Sequence, residues 1–181
     1  MNPSSNLFLV GPSGAGKTSI GRRLAAHYGL AFLDLDREIE EHTGVDVATI
    51  FEIEGEAGFR QREAAMLEKC SEREKVLLAT GAGAILDADS RRRLHERGFV
   101  IWLQASVEQQ LKRLQFDRAR PLLAGVDRRQ RLEAMASQRN PLYEQIAELT
   151  IAGHNERTQR AFARCRTRID DQWQRLGVPV S

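Results

Sequence analysis

Apolar positions along the chain follow two rhythms. Short, mostly apolar runs at Leu7–Val10, Leu30–Asp34, Val76–Ala79, Phe99–Leu103 and Glu148–Ile151 read as five strands. Between them, apolar residues recur every three or four positions. Ile20, Leu24 and Tyr28 share one side of a helix over about 17–28. Helical spacing returns at about 36–42, 46–53, 56–72 and 87–97, the last ending before Gly98. Val107, Leu111 and Leu114 mark a further helix, and Pro141 is expected to open another. Phe162, Cys165, Ile169, Trp173 and Leu176 form a stripe on the last. Strands alternating with helices predict an α/β fold with a parallel sheet covered on both faces. Ligands of such sheets gather beyond the carboxyl ends of the strands.

Those strand ends carry the chemistry. After the first comes GPSGAGKTS, which fits G-x-x-x-x-G-K-[ST] at Gly11, Gly16, Lys17 and Thr18. Glycines let successive backbone N–H groups turn toward phosphate oxygens, and the helix N-terminus that follows favours anions. Gly14, Ala15, Gly16, Lys17, Thr18 and Ser19 are therefore the candidate ATP-phosphate site, with Lys17 on the outer phosphates and Thr18 on Mg²⁺. After the second strand come Asp34 and Asp36; after the third, Gly81, Ala82 and Gly83. The third strand ends without an acid, so the metal-facing carboxylate falls to Asp34 or Asp36. One of the pair can face the metal and the other an acceptor hydroxyl. Helix capping is the plainer alternative, especially for Asp36 ahead of the helical REIEE run.

The arginines add a second anion. Arg60 and Glu63 are helical neighbours, and a weak surface pair is their simplest reading. Residues 116–126, with Arg118, Arg120, Pro121 and Gly125, suit a mobile lid that brings an arginine over the transferring phosphate. Arg139 stands just before Pro141. Arginine fits a carboxylate with two parallel bonds. Several separated arginines on a phosphate-loop fold predict an anionic acceptor as well as ATP.

Composition narrows the rest. With 181 residues, the chain is read as a single domain over 1–181, behind a polar tail at 1–5. A net charge of +2 points to neither a nucleic-acid nor a membrane partner. The basic run Ser90–Arg97 reads as a solvated helix face. Cys70 and Cys165 are far apart without a C-x-x-C pattern, and are expected to be buried thiols of a reducing cytosol. The start MNPSSN lacks the apolar core of a signal peptide, so a cytoplasmic location is expected. His27, His42, His95 and His154 show no metal or nucleophile spacing.

Taken in order, GPSGAGKTSIGRRLA, DLD, IFEIEGEAGFRQRE, LATGAGA, RPLLAG and RNPLYEQIA resemble the shikimate kinase family over about the first 155 residues. The resemblance implies a three-layer P-loop fold like that of nucleoside monophosphate kinases, with five parallel strands in the order 2-3-1-4-5. It implies transfer of the γ-phosphoryl of ATP to the 3-hydroxyl of shikimate, with Mg²⁺, by a monomer. By motif, Asp34 would hold Mg²⁺ through water, and Asp36 would orient the acceptor hydroxyl as candidate base. Lys17 and the lid residue Arg120 would serve the transferring phosphoryl. Arg60 and Arg139 would clamp the shikimate carboxylate. Phe51 and Phe59 would wall the substrate pocket beside Gly81, Ala82 and Gly83. Arg113 and the loop from Ala152 to Arg157 would lie near adenine. The family usually has a third glycine where this chain has Ala82. Two other readings compete: a kinase of another hydroxy acid such as gluconate, and a nucleotide-dependent binding domain without catalysis.

Overall fold

In the computed structural model of the chain, residues 4–115, 127–154 and 158–175 are described. Five strands form one parallel sheet in the order β2-β3-β1-β4-β5. They are β1 (Leu7–Val10), β2 (Ala31–Asp34), β3 (Val76–Ala79), β4 (Phe99–Leu103) and β5 (Leu149–Ile151). The three inner strands are wholly buried, as unbroken apolar runs require. The edge strand β2 keeps Ala31 exposed.

Alternation along each strand divides the core between the two faces of the sheet. Phe8, Val10, Leu78, Val100 and Trp102 pack with Phe59, Leu67, Leu94 and Tyr143. Those partners come from α3 (Val47–Ser71), α4 (Ala88–Arg97) and α6 (Arg128–Ile146). Leu7, Leu9, Leu77, Ile101 and Leu103 pack on the opposite face with Ile20, Leu24, Cys165 and Ile169. Those belong to α1 (Lys17–Tyr28) and α7 (Thr158–Gln172). The remaining helices are α2 (Leu35–Thr43) and α5 (Val107–Leu114). The expected three-layer α/β fold is thus present, with the expected strand order. Both cysteines are buried, and no disulfide joins them. No helix among the described residues is long and apolar enough to cross a membrane.

Two helix boundaries differ from the sequence pattern. The helices expected at about 46–53 and 56–72 run on as α3, broken at Gly55, which takes φ 70° and ψ −176° inside it. Pro141 does not open a helix but lies within α6. Proline lacks the N–H that would meet the carbonyl of Ser137, so a start was the cheaper reading. The buried face of α6, with Leu132, Arg139, Tyr143 and Ile146, carries the helix through.

Because the strands are parallel, their carboxyl ends share one edge. β1 lies between β3 and β4, so the chain switches direction across the sheet at the end of β1. That switch leaves a crevice, and the loop following β1 borders it.

Candidate active site

The phosphate loop is shaped by positions where no side chain fits. Gly11 has φ 141°, and a Cβ there would lie 2.2 Å from the Leu103 carbonyl oxygen. Gly16 is left-handed, with φ 95°, and begins α1 without a side-chain cap. The first N–H groups of α1 are therefore available to an anion. Lys17 Nζ donates to the carbonyls of Gly11 (2.7 Å) and Pro12 (2.9 Å), holding the ammonium over the loop.

Thr18 Oγ1 donates to Asp34 Oδ2 at 2.7 Å. Asp34 occupies the N-cap position of α2, yet its side chain makes no cap bond. Its carboxylate faces Thr18 instead. Asp36 lies inside the first turn of α2, two residues too late to cap it, so the capping alternative fails for both acids. The Thr18–Asp34 pair offers two hard oxygen donors beside the phosphate loop. This suits a magnesium ion, which keeps several waters and takes further oxygens from substrate phosphates. Among the described residues, no cluster of three or more His, Cys, Asp or Glu could cage a metal.

Next to the loop opens a cavity of about 250 Å³. It collects every residue that the sequence assigned to the acceptor: Asp36, Phe51, Phe59, Arg60, Gly81, Ala82, Gly83 and Arg139. They arrive from α2, α3, the loop after β3, and α6. Phe51 and Phe59 approach to 4.6 Å between ring centroids, and the Arg60 guanidinium stands 5.3 Å over the Phe59 ring. Phe59 belongs to the hydrophobic core and to the cavity wall at once.

The Arg60–Glu63 pair is not the weak surface pair expected from spacing. Glu63 is only 2% exposed, and Arg60 Nη1 donates to its Oε2 at 2.5 Å. Burial pushes the Glu63 carboxyl above its ordinary value, and Arg60 draws it part of the way back. Arg139 is 7% exposed, and desolvation holds its guanidinium below the usual arginine range. Arg60 Nε, Arg139 Nε and Glu63 Oε1 are buried with no hydrogen-bond partner. Such groups are costly unless a ligand completes them. Two guanidinium donors left open beside Asp36 make a site for a small molecule bearing both an anion and a hydroxyl.

An added side chain on either side of residue 82 would push against the acidic and basic groups of the cavity. A Cβ on Gly81 would lie 2.2 Å from Glu63 Oε1, and one on Gly83 would lie 2.3 Å from Arg60 Nη2. Ala82 itself has negative φ, since Lys75 alone among the described non-glycine residues has a positive one. Its methyl group is therefore free of backbone strain.

Sequence reasoning missed Glu63 and Tyr143 as cavity residues. A signal existed for each. Phe59, Glu63 and Leu67 are spaced by four and share the buried face of α3. Tyr143 follows Arg139 by one turn on the buried face of α6.

A second cavity, of about 220 Å³, lies on the other side of the phosphate loop. Gly14, Ala15, Gly16, Ser19, Arg113, Ala152, Gly153 and His154 border it. Arg113 donates to the carbonyls of Gly14 (2.7 Å) and His154 (3.0 Å), joining the phosphate loop to the loop after β5. His154, assigned no role from sequence, contributes through its backbone. Arg120, Arg157 and the expected lid at 116–126 lie outside the described residues.

Known proteins resemble the chain in sequence and in fold. The sequence profile described as "Shikimate kinase" matches residues 13–170. A shikimate kinase of Xanthomonas campestris pv. campestris is 48% identical over 180 residues, covering 99% of this chain and all of its own. One from Bordetella pertussis is 54% identical over 145 residues, covering 80% of this chain and 69% of its own. Among solved structures, shikimate kinase from Acinetobacter baumannii in complex with shikimate superposes with a TM-score of 0.90 at 42% identity. That match covers 93% of this chain and 94% of the other. With a matching profile, relatives of full length and a shared fold, the chain belongs to the shikimate kinase family.

Proposed function

We propose that the chain transfers the γ-phosphoryl of ATP to the 3-hydroxyl of shikimate. The products are shikimate 3-phosphate and ADP, a step toward chorismate and the aromatic amino acids. The observation that carries this reading is the cavity beside the phosphate loop, where Asp36 meets two incompletely paired arginines. It rests also on family membership and on the shikimate bound by the Acinetobacter baumannii relative.

In this reading, the loop backbone and Lys17 hold the β- and γ-phosphates. Arg60 and Arg139 clamp the acceptor carboxylate, which fixes the ring against Phe51 and Phe59. The loop at Gly81–Gly83 offers its N–H groups to ring hydroxyls. Asp36 accepts the proton as the hydroxyl oxygen bonds to Pγ and the bond from Pγ to the bridging β,γ-oxygen breaks. Kinases that use ATP generally need a divalent metal; here Thr18 and Asp34 would hold Mg²⁺, which neutralises charge on the phosphate oxygens. Arg120 would reach the transferring phosphoryl from residues 116–126. Arg113 and Arg157 would border the nucleotide. The chain would act as a cytoplasmic monomer.

Coupled detection of ADP tests the reading, with shikimate, gluconate, quinate or no acceptor. Shikimate-dependent turnover that is lost with a chelator and restored by Mg²⁺ is expected. Preference for gluconate or quinate would overturn the acceptor assignment. ATP binding without turnover on any of them would leave a binding domain.

A further inference from the structure

The loop after β3 lies in the acceptor cavity, close against the side chains of Glu63 and Arg60. All three of its carbonyls are occupied. That of Gly81 accepts from the Ala84 N–H at 3.2 Å, and that of Gly83 from the Leu86 N–H at 3.0 Å. That of Ala82 accepts from the Tyr143 hydroxyl at 2.5 Å. By contrast, none of the N–H groups of residues 81–83 donates to a described residue. Two of the carbonyl bonds are local and belong to the turn and the short 3₁₀ helix Ala84–Leu86 that follows. The third comes from α6, which is 61 residues away in sequence.

Tyr143 is well suited to hold a fixed point. Its side chain is fully buried, and its ring stacks on Trp102 with centroids 5.6 Å apart. The carbonyl it grips shares a peptide unit with the N–H of Gly83. In a trans peptide these two dipoles point in opposite directions, and no cis bond occurs among the described residues. Gripping the carbonyl from α6 therefore aims the Gly83 N–H away from α6. Tyr143 also follows Arg139 by one helical turn, so a single rigid helix carries one arm of the anion clamp and the anchor of the donor loop.

We infer that Tyr143 is a positioning residue that locks the 82–83 peptide in register with Arg139, so that the loop donors and the carboxylate clamp meet one acceptor together. This rests on the acceptor reading above. Ala82 supports the same lock, because a residue with a Cβ has fewer backbone states to explore than glycine once the anchor is gone. The anchor and the alanine are thus partly redundant devices.

The test is Tyr143→Phe, alone and with Ala82→Gly, in steady-state kinetics on each substrate together with Tm. Tyr143→Phe should raise the KM for shikimate about fivefold, the scale of one hydrogen bond, and leave the KM for ATP within about twofold. The double variant should lose more than the product of the two single effects. A folded Tyr143→Phe protein with an unchanged shikimate KM overturns the inference, as do equal rises for both substrates, which would mark a purely structural role. If Tyr143→Phe fails to fold, the parent decides: its Gly83 amide resonance must shift on addition of shikimate alone, and an unmoved resonance overturns the proposal. A parent that turns over shikimate while Tyr143→Phe matches it removes only this inference. A parent inactive on shikimate removes the acceptor reading and this one with it.

Discussion

On the nucleotide side of the cleft, one contiguous stretch, Gly11 to Ser19, supplies the phosphate loop through its backbone, and β4, α5, α7 and the loop after β5 complete the cavity. Its donors belong to a loop and a helix N-terminus, and its long-range partners include Asp34, which accepts from Thr18, and Arg113, which donates to the Gly14 carbonyl. On the acceptor side, the charged groups come from α2, α3 and α6, with the loop after β3 beside them. Most of the work there falls to charged side chains packed where water is scarce. The Glu63 carboxyl is pushed up and the Arg139 guanidinium pushed down, in each case chiefly by burial. A backbone site tolerates side-chain changes but no added Cβ at its glycines. A side-chain site tolerates neither loss of charge nor loss of the partner that orients it.

The largest effect should come where the two sides meet. Asp36→Asn keeps the shape of the first turn of α2 but removes the proton acceptor. Turnover should fall about 10²–10⁴-fold while nucleotide binding persists. Single-turnover kinetics with a parallel nucleotide titration check this, and near-normal kcat would remove Asp36 from the mechanism.

Arg139→Ala separates the two sides most sharply. Loss of a charge-assisted bond costs about 1.5–3 kcal/mol, so shikimate affinity should drop roughly 10- to 150-fold with ATP affinity unchanged. Arg60→Ala should act in the same direction. It also strips Glu63 of its 2.5 Å partner and so should cost stability besides. Calorimetric titration with each ligand is the measurement; equal losses for both ligands would dissolve the distinction.

The buried carboxyl gives a pH signature. The folded state raises the proton affinity of Glu63 above its ordinary value of 4.5. Folded chains therefore hold more protons than unfolded ones above that pH. The stability this proton brings is complete below the ordinary value and is lost as pH rises through the folded one. Glu63→Gln cannot titrate, so the difference in Tm between variant and parent should shift in favour of the variant as pH rises from about 4 upward. Parallel Tm curves for the two proteins would show that Glu63 contributes no such linkage. Its acceptor KM should rise a few-fold as Arg60 loses its guide.

Ala82→Gly should be the mildest. The methyl group sits on unstrained backbone, so kcat/KM on shikimate should change by less than about tenfold, or ~1.4 kcal/mol of barrier. An inactive parent rescued by glycine would show that the methyl crowds the acceptor.

The order of strands and helices was legible in the pattern of apolar residues, because burial on both faces of a parallel sheet forces unbroken apolar runs. The phosphate loop was legible for a related reason: its function lies in local backbone geometry, and glycines at fixed spacing encode that geometry directly. Even the acceptor residues could be named from ordered motifs, although their spacing alone gave only an anionic acceptor. Burial was another matter. From spacing, Arg60 and Glu63 made an ordinary i,i+3 surface pair, and only the packing of α3 against the loop at Gly81–Gly83 closed water away from them. Asp36 looked like a cap until the start of α2 fell at Leu35. Pro141 looked like a helix start until the buried face of α6 carried the helix past it. Tyr143 gave no sign that its hydroxyl would reach a carbonyl 61 residues away. Local chemistry is written in neighbouring residues. Desolvation and long-range hydrogen bonds depend on which elements pack together, and only the tertiary structure decides that.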